Sequence, residues 1–186
     1  NKEAISAVLF VETKFGKVLG QHSVLNVLSS LALSNKEFVR ENIKNHVEKR
    51  YHYLSSKKRE YIKDYYINYV ERKSLNAKRE LVYLLNLHKQ DKLDIFSLPG
   101  SYAGAFGYPQ FMPSNYHKYG VDGDNDGYVN LFSFPDAILS VGNFLQYHGW
   151  EANIQAKKQA LLRYNYSNNY VAEVLNTANY IDNNYN

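Results

Sequence analysis

Apolar positions along this chain recur at helical rather than strand spacing. Ile5, Val8, Leu9, Val11 and Phe15 give residues 2–15 a broad apolar face that Gly16 closes, which predicts a helix. Its opening run from Asn1 has no convincing cap and does not begin with Met, so an upstream segment is expected to have been removed. Residues 23–33 form a second helix through Val24, Leu25, Val27, Leu28, Leu31 and Ala32, and Ser34-Asn-Lys-Glu37 is a capping box that opens a third. Residues 56–90 divide into two charged, tyrosine-rich helices, one with Tyr61, Ile62, Tyr65, Tyr69 and Val70, the other with Leu81, Val82, Leu84 and Leu85. Asp91 to Pro99 reads as a link. Ser133 caps a further helix whose stripe is Phe134, Ile138, Val141 and Leu145, stopped by Gly149, and a short helix covers about 168–178. Strand alternation is scarce and no repeat appears, so the class is mainly α.

Composition narrows the chemistry. The 186 residues, 45% hydrophobic and 22% charged, suit a single globular domain over 1–186. With no cysteine, disulfides, zinc–thiolate sites and cysteine nucleophiles are excluded. No apolar run approaches the roughly 20 residues that span a bilayer. The net charge of +4 is unevenly spread: residues 36–92 hold 15 Lys/Arg against 8 Asp/Glu, whereas 93–150 hold one Lys against five Asp. The basic stretch is either a solvated helix face or a surface for an anionic polymer, such as nucleic acid or the carboxylate-bearing peptides of a bacterial wall.

Two adjoining loops carry most of the chemistry. Residues 100–114 place glycines, Pro109 and Pro113 around Ser101, Tyr102, Gln110 and Phe111, an irregular backbone that offers polar and aromatic groups to a ligand. Next, Asp122, Asp124 and Asp126 occupy the first, third and fifth positions of a calcium loop, Gly127 supplies its turn and Tyr128 its carbonyl. Ser133 stands where a bidentate Glu normally closes such a loop, and Asp136, on the next helix, is the natural replacement. The stretch is either this metal loop, suited to calcium better than magnesium, or an acidic surface turn.

Glu12 is the candidate acid. Its helical neighbours Val8, Leu9 and Phe15 are apolar, and desolvation there raises a carboxyl pKa, although a Glu turned to solvent would fit the same spacing. No second carboxylate has a comparable setting. A glycosidase with one Glu needs its substrate to supply the nucleophile. The histidines show no metal-ligand spacing, and no Ser/His/Asp triad can be assigned.

The chain resembles the membrane-bound lytic transglycosylase B family of peptidoglycan-cleaving enzymes, glycoside hydrolase family 103, over nearly its whole length. The carriers are Val11-Glu-Thr-Lys-Phe-Gly16, the run Gly100 to Ser114, Val121-Asp-Gly-Asp-Asn-Asp-Gly-Tyr-Val-Asn-Leu131, Pro135-Asp-Ala-Ile-Leu-Ser-Val141, His148-Gly-Trp150 and Arg163-Tyr-Asn-Tyr-Ser167. The resemblance implies a lysozyme-like, goose-type catalytic domain in which Glu12 is the sole acid/base. It implies that Ser101, Gln110, Tyr164 and Asn165 line the substrate site. It also implies an EF-hand-like calcium loop at 122–136 held by Asp122, Asp124, Asp126, Tyr128 and Asp136. The implied reaction cuts the β-1,4 bond between N-acetylmuramic acid and N-acetylglucosamine and leaves 1,6-anhydromuramoyl ends. Asn165 and Ser101 would hold the substrate acetamido group and the acid in place. The implied setting is an exported monomer of the bacterial periplasm or envelope, acting on glycan strands with structural Ca2+ and no organic cofactor.

The chain departs from the family in three places. Only twelve residues separate Trp150 from Arg163, where fuller members insert a small β-rich subdomain, the stretch before Glu12 is short, and Phe144 and Phe106 replace a common Tyr and Met. A hydrolytic muramidase on the same scaffold is the nearest alternative reading. A non-catalytic glycan-binding module and a nucleic-acid binder using Lys57, Lys58, Arg59, Lys63, Arg72, Lys73, Lys78 and Arg79 follow, and nucleic acid is not the expected partner.

Overall fold

The computed structural model describes residues 2–90, 92–151 and 153–185; Asn1, which begins the opening run, and Asp91, the start of the expected linker, lie outside the described residues. The fold is mainly helical. In order it runs α1 (Lys2–Thr13), β1 (His22–Ser23), α2 (Val24–Ala32), α3 (Glu37–Arg50), α4 (Ser56–Lys89), β2 (Pro99–Gly100), α5 (Pro113–Tyr119), α6 (Phe134–Tyr147), α7 (Ile154–Tyr164) and α8 (Asn168–Tyr185).

The core gathers where α1 lies between α6 and α8 and where α2 lies on the C-terminal half of α4. Val24, Leu28 and Ala32, one per turn of α2, meet Leu84, Leu87 and Ala77, and Ser74 donates its hydroxyl to the Ala32 carbonyl at 2.7 Å. Ala4, Ala7, Val8 and Leu9 of α1 are small enough for close helix packing. The antiparallel pairing of β1 with β2, His22 opposite Gly100 and Ser23 opposite Pro99, anchors the start of the motif loop beside the N-terminus of α2. Ser23 caps that helix by accepting the Asn26 N–H at 3.3 Å.

Several expectations are corrected. The two helices expected over 56–90 are one helix of 34 residues, about 51 Å long, because no Gly or Pro interrupts the sequence between them. The Ser34–Glu37 capping box does not form: Ser34 donates back to the Leu31 carbonyl at 2.7 Å, satisfying the end of α2, and α3 starts at Glu37 without a side-chain cap. α1 stops at Thr13, two residues early, because Lys14, Phe15 and Gly16 turn left-handed with φ of 50°, 57° and 85°. Phe15 therefore leaves the apolar face and packs on Phe10, both exposed. The α6 face is rotated from the expected stripe, burying Asp136, Ala137, Ser140, Val141, Phe144 and Leu145 while Phe134 and Ile138 stay partly exposed. α5 and α7 were not anticipated, and α8 continues well past 178.

Candidate active site

Glu12 sits on the last turn of α1, half-buried, with Val8 and Leu9 closed beneath it. Thr13 locks this turn: its hydroxyl donates to the Tyr108 carbonyl at 3.0 Å and accepts the Gly16 N–H at 3.1 Å. Gly16 is required twice over, by its φ of 85° and by the Tyr108 ring, whose Cε1 would lie 2.4 Å from an added Cβ. The acid is thus fixed to the motif loop immediately after its helix ends.

Tyrosines from the far end of the chain enclose it. Tyr164 packs edge-on against Phe144 at 4.7 Å and donates its hydroxyl to the Pro109 carbonyl at 2.6 Å. Tyr170 lies nearly parallel to it, 14° between planes and 6.1 Å between centroids. Ser167 positions Tyr170 by accepting its backbone N–H at 3.3 Å in the first turn of α8.

Burial pushes the Glu12 carboxyl up from 4.5 to about 7, and the nearby Tyr170 hydroxyl offsets part of that rise. That hydroxyl is buried beside the carboxyl without a hydrogen bond of ordinary geometry. Burial raises both tyrosines, and the charge of Glu12 raises them further, so their hydroxyls stay protonated donors. Among the described residues no other carboxylate contributes to the Glu12 shift. A carboxyl near 7 is half protonated at neutrality, which serves an acid that must later act as a base.

The motif loop supplies the adjacent wall. Phe106 and Phe111 exchange backbone hydrogen bonds at 2.9 and 3.0 Å across a tight turn in which Gln110 takes φ of 50°. Gln110 uses its amide nitrogen to bridge the Gly107 carbonyl at 3.0 Å and the Leu19 carbonyl at 3.3 Å, tying the loop to the segment after α1. Ser101 Oγ accepts the N–H groups of Ala103 and Ala105 at 3.3 and 3.1 Å, leaving its proton free to donate. Tyr102, 81% exposed, borders a shallow groove of about 530 Å³ with His22, Asn26 and Ser30. A cleft of about 630 Å³ lined by Ile5, Gly142, Asn143 and Trp150 contains none of the candidate site residues.

Of the expected ligand-contacting residues, Phe111 is misassigned. It is fully buried among Tyr119, Phe144 and Tyr164, a core residue of the loop rather than a surface for a ligand. Asn165 caps the end of α7 in extended conformation with its side chain exposed. Sequence reasoning missed Tyr170, whose only signal was an aromatic following the Ser167 cap.

The acidic loop folds around its own carboxylates. Ligand oxygens of Asp122, Asp124 and Asp136 lie within 4.8 Å of one another. Asp122 accepts the N–H groups of Asp126 and Gly127 at 3.2 and 2.9 Å, and Asp126 accepts that of Tyr128 at 2.8 Å. Buried Asp136 accepts Gly123 N–H at 2.8 Å and Asn130 N–H at 2.5 Å, joining both ends of the loop to α6. Partial desolvation and the neighbouring carboxylates raise Asp124. Asp126 stands in the loop but outside the convergent group, and Tyr128 is exposed.

Comparison with known proteins identifies relatives of the chain. Over 148 residues, 80% of this chain, it is 32% identical to the membrane-bound lytic murein transglycosylase B of Escherichia coli, spanning 31% of that protein's length. Its fold matches an Escherichia coli lytic transglycosylase solved in complex with calcium, with a TM-score of 0.70 at 22% identity over 97% of this chain and 65% of that one. SltB3 of Pseudomonas aeruginosa, in complex with NAG-anhNAM-pentapeptide, matches with a TM-score of 0.69 at 18% identity, over 97% of this chain and 56% of that one. The transglycosylase SLT domain family matches residues 1–160, the stretch that carries Glu12 and both loops, and the chain belongs to that family.

Proposed function

We propose that this chain is a lytic transglycosylase that cleaves the β-1,4 bond between N-acetylmuramic acid and N-acetylglucosamine in peptidoglycan. The observation that carries the reading is a single carboxyl, Glu12, desolvated to a pKa near 7 with no second carboxylate acting on it. Protonated Glu12 gives its proton to the glycosidic oxygen as the bond to the muramoyl anomeric carbon breaks. The substrate's acetamido oxygen stabilises the cationic carbon. The Glu12 carboxylate then takes the proton of the muramoyl 6-hydroxyl as that oxygen attacks the same carbon, closing the 1,6-anhydro ring and restoring the acid. Ser101 has a hydroxyl proton available to orient the acid or the acetamido group, and Tyr102, Gln110, Tyr164, Tyr170 and Asn165 frame the site.

The loop at 122–136 fits a hard cation in its donor chemistry, with oxygens of Asp122, Asp124 and Asp136 already convergent. Calcium would be held by these with Asp126 and the Tyr128 carbonyl, and would neutralise mutually repelling carboxylates. Its role is structural, joining the motif region to α6. Residues 1–186 act as one catalytic domain and monomer, exported to the bacterial envelope; none of the described helices is long and apolar enough to cross a membrane.

Mass spectrometry of soluble products from purified peptidoglycan tests the reading. Glu12-dependent products ending in 1,6-anhydromuramic acid are expected. Reducing muramic ends would make it a muramidase, and product release by Glu12→Gln equal to wild type would remove Glu12 from the chemistry.

A further inference from the structure

α4 leaves the core halfway along its length. Its buried residues, Ser74, Ala77, Glu80, Leu84 and Leu87, all belong to the C-terminal half. Residues 56–73 pair instead with α3, itself buried only at Val47, through Arg40–Glu71 at 2.5 Å and Arg59–Glu48 at 2.9 Å. The two helices make an arm that closes on Val47, outside the main core, with ion pairs along its sides.

The outer face of this arm sorts by chemistry. Tyr61, Tyr65 and Tyr69 recur every four residues, about 6 Å apart along the axis, and stay 74%, 55% and 44% exposed. Helical spacing puts Lys58, Arg72 and Arg79 on the same face, all exposed, while Lys73 holds its ammonium 5.7 Å from the Tyr69 ring centroid. The acids fall to the side, where Glu60 pairs with Lys63 and Glu71 with Arg40. A merely solvated face would mix both charge signs and leave fewer large rings in water.

This face reaches the motif loop. Lys73, Asn76 and Arg79 line a crevice of about 260 Å³ whose other wall is Ala103 and Met112, in the loop that carries Ser101 and Gln110. The crevice's one acid, Glu80, is buried and engaged by Ser114 and Arg79. We propose that the tyrosine and cation face of α4 is an accessory track for the peptidoglycan strand, with sugar faces on the rings and stem-peptide carboxylates on the cations. This rests on the substrate reading above. Its meeting with the loop that carries Ser101 and Gln110 favours this polymer over single-stranded nucleic acid, which the same chemistry also attracts.

The test is cosedimentation with purified sacculi in a Glu12→Gln background, so that the polymer stays intact. Lys58→Glu/Arg72→Glu and, separately, Tyr61→Ser/Tyr65→Ser/Tyr69→Ser alter exposed side chains, and unchanged thermal unfolding verifies the fold. Each is expected to weaken sacculus binding about tenfold at low salt. The charge reversal is expected to lose its effect on sacculi stripped of stem peptides. Unchanged binding by both variants overturns the track, as does a preference of the unmodified arm for a single-stranded oligonucleotide over sacculi. Products from enzyme with Glu12 intact are scored in parallel. Arm-dependent binding without products removes the catalytic reading and keeps the track, whereas products with arm-independent binding do the reverse.

Discussion

Thr13 and Tyr108, 95 residues apart in sequence, are joined by a 3.0 Å hydrogen bond that fixes the end of α1 to the motif loop. Glu12 is the residue immediately before this tie. Thr13→Val keeps the shape of the side chain and leaves the Tyr108 carbonyl and Gly16 N–H without their partner. The expected cost is about 1 to 2 kcal/mol of stability. Product release is expected to fall further than that loss explains, because the acid is no longer held; thermal unfolding and turnover measured on the same protein separate the two.

Glu12 should make the protein less stable as pH rises. Its folded carboxyl keeps a proton to about pH 7, whereas the unfolded one releases it near 4.5, so the folded state binds more protons in that window. Stability present below about 4.5 is lost on passing to 7, by up to about 3 kcal/mol. Glu12→Gln lacks this loss. Urea unfolding at pH 4 and pH 8 should show the variant gaining on wild type at the higher pH, and a constant difference would contradict the raised pKa.

Tyr170 offers a donor that lowers the Glu12 pKa, so Tyr170→Phe should move the alkaline limb of the pH–rate profile to higher pH. Because that hydroxyl is buried without a regular partner, stability should hold or improve. A profile that moves to lower pH would contradict the placement of the donor.

In the acidic loop, substitutions can separate the proposed calcium linkage from backbone support. Asp124→Ala should remove the calcium-dependent part of the melting temperature and leave the chelated protein nearly unchanged. Asp136→Ala also strips acceptors from Gly123 and Asn130, so it should destabilise the chelated protein too. Calcium at 100 times its Kd would supply about 2.7 kcal/mol. Melting curves with and without chelator check both.

Legibility from sequence followed the range of each interaction. The apolar positions before Glu12, the regular Asp spacing and the Ser133 cap act within one or two turns, and each was readable. Asp136 was singled out because Ser133 cannot close the loop, and its carboxylate does converge with Asp122 and Asp124. The long α4 was misread as two helices because its charged and apolar halves differ in environment, not in backbone. Phe111 looked available because loop aromatics often are, and only the packing of Phe144 and Tyr164 shows it to be core. Glu80 accepts both the N–H and the hydroxyl of Ser114 at 2.9 Å, across 34 residues. Such long-range ties leave no local pattern.

The pairing of α1 with α8 bears on when the Glu12 carboxyl acquires its raised pKa. During synthesis Glu12 is made well before Tyr164 and Tyr170, which enclose it. Until Tyr164 and Tyr170 arrive, the Glu12 carboxyl faces water and is an ordinary anion at neutrality, unable to donate a proton. The raised pKa of Glu12 therefore comes with α7 and α8 rather than with the helix that carries the residue.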